Sequence, residues 1–213
     1  MARIKTVIFD WDGTLVDTAR LSYGIYRHLF KIYGIPDVPW KKFREEFTAD
    51  YHEYYAKKGI PRSEFENADR VWLRMYNDAE KEIRLVPGAK KLLFALHRKG
   101  IRMGIVSNGS GVRIRKEIRE RGISKMFKIV VTADEIPDFK PSPKGIVYAL
   151  GAMRAKPSEA MYVGDMVEDV IAGKRAGVAT MGVATGKHPP KKIAEAGPDF
   201  LCQDVNSVMQ VLL

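Results

Sequence analysis

The chain has 213 residues, 46% of them hydrophobic and 29% charged, with a formal net charge of +10 and a sequence pI near 9.6. That balance excludes a disordered or fibrous chain and allows either one large domain or a core with a smaller insert. No apolar stretch approaches the roughly 20 residues of a membrane span, and no apolar signal core follows Arg3. A single cysteine, Cys202, excludes an intramolecular disulfide and a thiolate metal cage, so the expected compartment is the cytoplasm.

The first predicted element is a buried strand that starts after Ile4 and runs to Phe9, broken only by Lys5 and Thr6. It ends in two carboxylates one residue apart, Asp10 and Asp12, at the end of a strand where open α/β sheets gather ligands. Gly13 permits a tight turn there and Thr14 adds a hydroxyl. Two carboxylates this close repel, and a hard divalent cation such as Mg²⁺ relieves the repulsion; taken alone, the same residues also read as an Asp-rich turn. Thr18 can cap a helix in which Leu21, Ile25, Leu29 and Ile32 recur at helical spacing. Gly34 to Pro39 breaks that helix. Trp40, Phe43, Phe47, Tyr51 and Tyr54 then mark a second helix ending near Gly59, and Ser63 can cap a third carrying Phe65, Ala68, Trp72, Met75 and Ala79. Residues 19 to about 84 therefore read as an all-helical insert. Its aromatic residues are expected mainly in a core, with a few facing a pocket.

After Pro87-Gly88 the rhythm becomes regular. A helix over Ala89–Lys99 precedes the strand Ile101–Val106, a helix closed by Gly122, and the strand Lys128–Thr132. A loop with Lys140-Pro141-Ser142-Pro143, in which Ser142 can cap, leads to a helix ending near Met153. The strand Ala160–Val163, a helix to Ala176, the strand Val178–Val183, a short helix after Pro190 and a last strand near Asp199–Leu201 complete the pattern. Strands alternating with helices predict an α/β fold with a doubly wound, mostly parallel Rossmann-like sheet. Three further polar clusters follow predicted strands: Ser107-Asn108, Lys140, and Asp165 with Asp169 one helical turn on. The first offers hydroxyl, amide and backbone N–H groups able to hold phosphate oxygens, although Ser-Asn-Gly is also a common turn. The last can share a cation or simply compensate a helix dipole. His28, His52, His97 and His188 form no ligand spacing and are expected to be structural or exposed.

The charge does not concentrate where a nucleic-acid surface would need it. Residues 19 to 84 hold 13 Lys/Arg against 11 Asp/Glu, which leaves 23 against 15 elsewhere. The densest run, Arg113 to Arg121, contains acids and no aromatic platform. It reads as the solvated face of a helix whose buried stripe is Val112 and Ile118.

The segment Asp10 to Thr18 resembles the opening motif D-x-D-G-T-[LV]-x-D-[ST] of haloacid dehalogenase superfamily phosphatases without a departure. Ser107-Asn108, Lys140 and Gly164-Asp165-x-x-x-Asp169 are similar, in order and spacing, to that family's remaining motifs. The resemblance implies a core of residues 1–17 and 85–213 with a helical C1 cap at 18–84. The 31 residues between Asn108 and Lys140 are too few for a large second cap. It also implies Mg²⁺-dependent hydrolysis of a small phosphorylated metabolite, as in phosphoglycolate phosphatase-like enzymes. Asp10 would be the nucleophile and Asp12 the general acid/base. Asp10, Asp165 and the backbone carbonyl of Asp12 would hold the metal, with Asp169 supporting through waters. Ser107 and Lys140 would grip the phosphoryl oxygens, with Asn108 and Thr14 nearby. Met166 departs from the Ser that many relatives carry after the fourth-motif Asp. The rival expectations are a sugar phosphomutase of the same family and a non-catalytic basic protein that binds nucleic acid.

Overall fold

Short apolar segments become the centre of the molecule in the computed structural model, which describes residues 3–212. Strands β1 (Thr6–Phe9), β2 (Arg102–Val106), β3 (Phe127–Val131), β4 (Ala160–Gly164), β5 (Ala179–Val183) and β6 (Phe200–Cys202) form one sheet in the order β3-β2-β1-β4-β5-β6. Every neighbouring pair is parallel. Helices cover both faces, which is why β1 and β4 are buried at every position. Alternation divides the core. Val7 and Phe9 face a large cluster shared with α5 (Ala89–Arg98) and α6 (Gly111–Glu120), while Ile8 faces a smaller one with α7 (Lys144–Ala152) and α8 (Val167–Arg175). Two further helices, α9 (Pro190–Glu195) and α10 (Val205–Leu212), flank the β6 side; α10 buries Val205 and Val208 and is absent from the sequence reading.

Between β1 and α5 lie α1 (Ala19–Ile32), α2 (Trp40–Glu46), α3 (Tyr51–Lys58) and α4 (Phe65–Asp78). The chain leaves and re-enters the sheet through a bridge between Val16 and Leu85, so the two connections run side by side. Tyr26 centres a ring cluster in this insert, with Phe47 at 5.3 Å, Tyr54 at 5.5 Å and Tyr55 at 5.9 Å between centroids. Each fully buried ring contributes about 1.5–3 kcal/mol of apolar transfer, which explains why so aromatic an insert holds together.

Local expectations fail at specific points. The predicted second helix is two, because Phe47 adopts extended geometry and Asp50 caps a new helix by accepting from the N–H groups of His52 and Glu53. Thr18 and Ser63 make no capping hydrogen bond; α4 is entered through a 3-10 turn at Arg62–Glu64. Ser142 sits two residues before α7 and accepts from Lys144 N–H at 3.4 Å, with Pro143 in the cap position. The basic helix is rotated from its expected orientation. Val112 is 78% exposed, whereas Arg113, Ile114, Glu117 and Ile118 share the buried face. Among the described residues, no helix is long and apolar enough to cross a membrane.

Candidate active site

Pairing register brings the acids together. Phe9 lies opposite Val163 on the adjacent strand β4, so the residues that follow, Asp10 and Gly164-Asp165, emerge side by side at the carboxyl edge. The first turn of α8 adds Asp169. One carboxylate oxygen from each of Asp10, Asp165 and Asp169 lies within 4.8 Å of the others, and all three residues are buried. Lys140 bridges two of them, with Nζ 2.7 Å from Asp10 Oδ1 and 2.6 Å from Asp169 Oδ1, and it also donates to the Tyr162 hydroxyl at 3.1 Å. Asp165 accepts from Thr14 Oγ1 at 3.0 Å and from Lys187 N–H at 2.8 Å, while Asp169 accepts from Met166 N–H at 2.9 Å. The unusual Met166 thus uses its backbone for the Asp169 contact.

Burial pushes the Asp10 carboxyl up to about 7, against the pull of Lys140 and with help from Asp169 and Asp165. Burial likewise raises Asp165 to about 6, opposed by Lys187. For Lys140, burial is outweighed by Asp10 and Asp169, which hold its charge well above the ordinary lysine range. The backbone approaches these acids closely. A Cβ on Gly186 would lie 1.8 Å from Asp165 Oδ2, and Gly13, at φ +90°, would place one 2.6 Å from the same atom.

Asp12 faces another way. Its carboxylate pairs with Arg113, Nη1 to Oδ1 at 3.1 Å and Nη2 to Oδ2, and although burial opposes its charge, Arg113 holds it below the usual carboxylate range. Arg113 continues to Glu117 Oε1 at 3.0 Å, and Glu117 accepts from Tyr76 of the insert at 2.9 Å and Trp11 at 2.7 Å. The solvated basic face expected from sequence is therefore wrong at Arg113, because the i,i+4 pair Arg113 and Glu117 lies beside Ile114 and Ile118 on the buried face of the helix. Farther along the run, Arg115 pairs with Glu135 and Lys116 with Glu80.

Ser107 and Asn108 follow β2 on the wall of a cavity of about 270 Å³ that also contains Asp10, Asp12, Lys140 and Asp169. Ser107 Oγ accepts from Gly109 N–H at 3.2 Å. Asn108 accepts from Lys140 N–H at 3.1 Å and donates to Ala49 O of the insert at 3.3 Å. Thr14 is buried against Asp165 and does not line the cavity.

A profile for haloacid dehalogenase-like hydrolases matches residues 7–183. The chain belongs to this family. A pyrophosphatase PpaX of Anoxybacillus flavithermus is 30% identical, with 98% of this chain and 97% of that protein covered. The haloacid dehalogenase-like fold recurs in the crystal structure of a predicted phosphoglycolate phosphatase from Haemophilus somnus, with a TM-score of 0.83 at 24% identity over the whole of both chains. A haloacid dehalogenase-like hydrolase from Streptococcus pneumoniae gives a TM-score of 0.85 at 20% identity, again over both full chains.

In this haloacid dehalogenase-like hydrolase, several residues at the site were not singled out from sequence. Arg113, Glu117 and Tyr76 had only helical spacing to mark them. Lys187, buried on the cavity wall with its charge felt at both Asp12 and Asp165, gave no signal among 36 basic residues. His188 is fully buried; Val167 N–H donates to Nδ1 at 3.0 Å, which leaves the ring proton on Nε2 to donate to Phe47 O at 2.8 Å. Arg44 of the insert donates to Lys187 O and His188 O, so the loop after β5 is fastened to the helices above it. His28 and His97 are exposed.

Proposed function

We propose that the chain is a Mg²⁺-dependent phosphatase for a small organic phosphate, working through an aspartyl-phosphate on Asp10. The observation that carries this reading is the convergence of the three buried carboxylates around Lys140 at the carboxyl edge of the sheet. Clustered hard oxygen donors suit Mg²⁺, and Gly13 and Gly186 keep side-chain atoms out of the space beside Asp165. Asp10, Asp165 and the backbone carbonyl of Asp12 would hold the ion, with Asp169 supporting through waters. When bound, it would supply positive charge to the phosphoryl oxygens and to the acids.

The residues then divide the work. Lys140 holds Asp10 in place and offsets negative charge, and Ser107 and Asn108 present donors beside it. An Asp10 oxygen bonds to phosphorus as the ester P–O bond breaks, and the departing oxygen takes a proton from Asp12. Asp12 then removes a proton from water, which attacks phosphorus, releases inorganic phosphate and restores Asp10. In the present arrangement Asp12 lies against Arg113, so delivering a proton requires its carboxyl to turn away from that guanidinium. Residues 18–84 serve as the cap that admits substrate and closes over it. The burial of Arg113 and the pairing of Arg113, Arg115 and Lys116 with carboxylates support this reading over a nucleic-acid surface. The single cysteine fits a cytoplasmic enzyme.

The test is Mg²⁺-dependent release of inorganic phosphate from a generic aryl phosphate by wild-type protein and Asp10→Asn. A loss of at least about a thousandfold is expected, since the variant lacks the nucleophile. Undiminished turnover would rule the mechanism out, and hexose phosphate isomerised without phosphate release would favour the mutase.

A further inference from the structure

The cavity is polarised along its length. Its basic wall residues, Arg113, Lys140 and Lys187, all belong to the sheet domain, and two of them are bound to Asp12, Asp10 and Asp169. The helical insert supplies the rings of Tyr26, Phe47, Tyr51, Tyr55 and Trp72 and a single charged group, Asp69. No Lys, Arg or His of the insert lines the cavity.

Asp69, half-buried, lines the cavity together with these rings. Its carboxylate lies 2.9 Å from His52 Nε2, and His52 stacks on Phe65 at 4.9 Å outside the cavity wall. Burial raises the hydroxyls of Tyr26, Tyr51 and Tyr55 above the ordinary phenol range, and the negative field of Asp69 is the next cause at Tyr51 and Tyr55. Ring faces are themselves negative, so this end of the cavity repels anions and attracts a soft, weakly hydrated cation. A second phosphate or a carboxylate placed there would meet Asp69 and the ring faces, because His52, the basic side chain bonded to Asp69, lies behind it outside the cavity wall.

We infer that the alcohol portion of the substrate carries a positively charged, alkyl-substituted nitrogen, held among Tyr26, Tyr51, Tyr55 and Trp72 with Asp69 as its counter-ion. This rests on the phosphatase reading and narrows it to one substrate class. It also separates this chain from the activities named in its relatives, whose substrates bear negative charge on both ends.

Phosphocholine and its uncharged isostere 3,3-dimethylbutyl phosphate probe the inference directly, alongside pyrophosphate, phosphoglycolate and an aryl phosphate, all with Mg²⁺. The expected kcat/KM for phosphocholine exceeds that for the isostere by about thirtyfold, the scale of one desolvated cation–ring contact, and Asp69→Asn lowers that ratio by removing the counter-ion while the rings remain. Because the readout is a ratio, a general loss of folded enzyme does not mimic it. Equal rates for charged and neutral esters, a ratio untouched in D69N, or preference for pyrophosphate or phosphoglycolate would overturn the inference. Choline alone is also titrated against tryptophan fluorescence. Saturable quenching in the wild type, weakened in D69N, supports the cation site, and no quenching refutes it. Failure of every ester, including the aryl phosphate, sinks the phosphatase reading and leaves the choline titration to decide this one.

Discussion

Replacing Glu117 by Gln takes away one of the two carboxylate oxygens on which three buried donors converge. Glu117 is fully buried and accepts from Trp11 Nε1 at 2.7 Å, Tyr76 Oη at 2.9 Å and Arg113 Nη1 at 3.0 Å. An amide offers a single oxygen and turns two N–H bonds towards groups that are themselves donors, so at least one donor is left without a partner. Breaking a buried ion pair costs about 3–5 kcal/mol, and because Asp12 still neutralises Arg113 the lower end applies, about 3 kcal/mol. For a chain of 213 residues that corresponds to a fall in Tm of about 6–12 °C. Thermal unfolding followed by circular dichroism measures it, with Val112→Ser on the exposed side of the same helix as a control expected within about 0.5 kcal/mol of wild type. A drop below about 3 °C for E117Q would refute the view that this network carries the junction between insert and sheet.

Gly186→Ala forces a methyl into Asp165, so the Tm gain on adding Mg²⁺ is expected to vanish while the metal-free fold persists; an undiminished gain would remove Asp165 from the proposed ion site. The raised carboxyls of Asp10, about 7, and Asp165, about 6, bind protons in the native state that the unfolded chain has already released above about 4. Their contribution to metal-free stability therefore falls as pH rises through about 4–7, and the Mg²⁺-induced Tm gain grows between about pH 5 and 8; an equal gain at both ends contradicts this. Burial pushes His188 down to about 3, so a neutral ring stabilises the fold fully above about pH 6.5 and progressively less as pH falls towards 3. The urea midpoint of wild type should thus approach that of His188→Gln between about pH 7 and 4, and a constant difference would show that the ring does not titrate with unfolding.

The sheet and the acids were legible because they rest on local patterns. Asp10 and Asp165 each end an apolar run, and parallel pairing of those runs is enough to bring them together. Asp169 follows from one helical turn. The Arg113–Glu117 pair was misread because charge predicts exposure, and only the partners Trp11 and Tyr76, 106 and 41 residues away from Glu117, reverse that rule. The break at Phe47–Asp50 was hidden by continuous aromatic spacing, although Asp50 has the chemistry of a helix start. Which insert rings meet the cavity and which fill the core is set by how α1, α3 and α4 are tilted, and tilt leaves no trace in periodicity.

Lys140 gives the chain a resident counter-ion. With an ammonium already seated between Asp10 and Asp169, the acids can be enclosed during folding before any external ion arrives. Loading of the proposed Mg²⁺ would then be a reversible late event, and chelation is expected to silence the enzyme without dismantling it, as unchanged far-ultraviolet dichroism in a chelator would show. On the proposed Mg²⁺ dependence, such a chain would stand idle without the ion and resume work on supply alone.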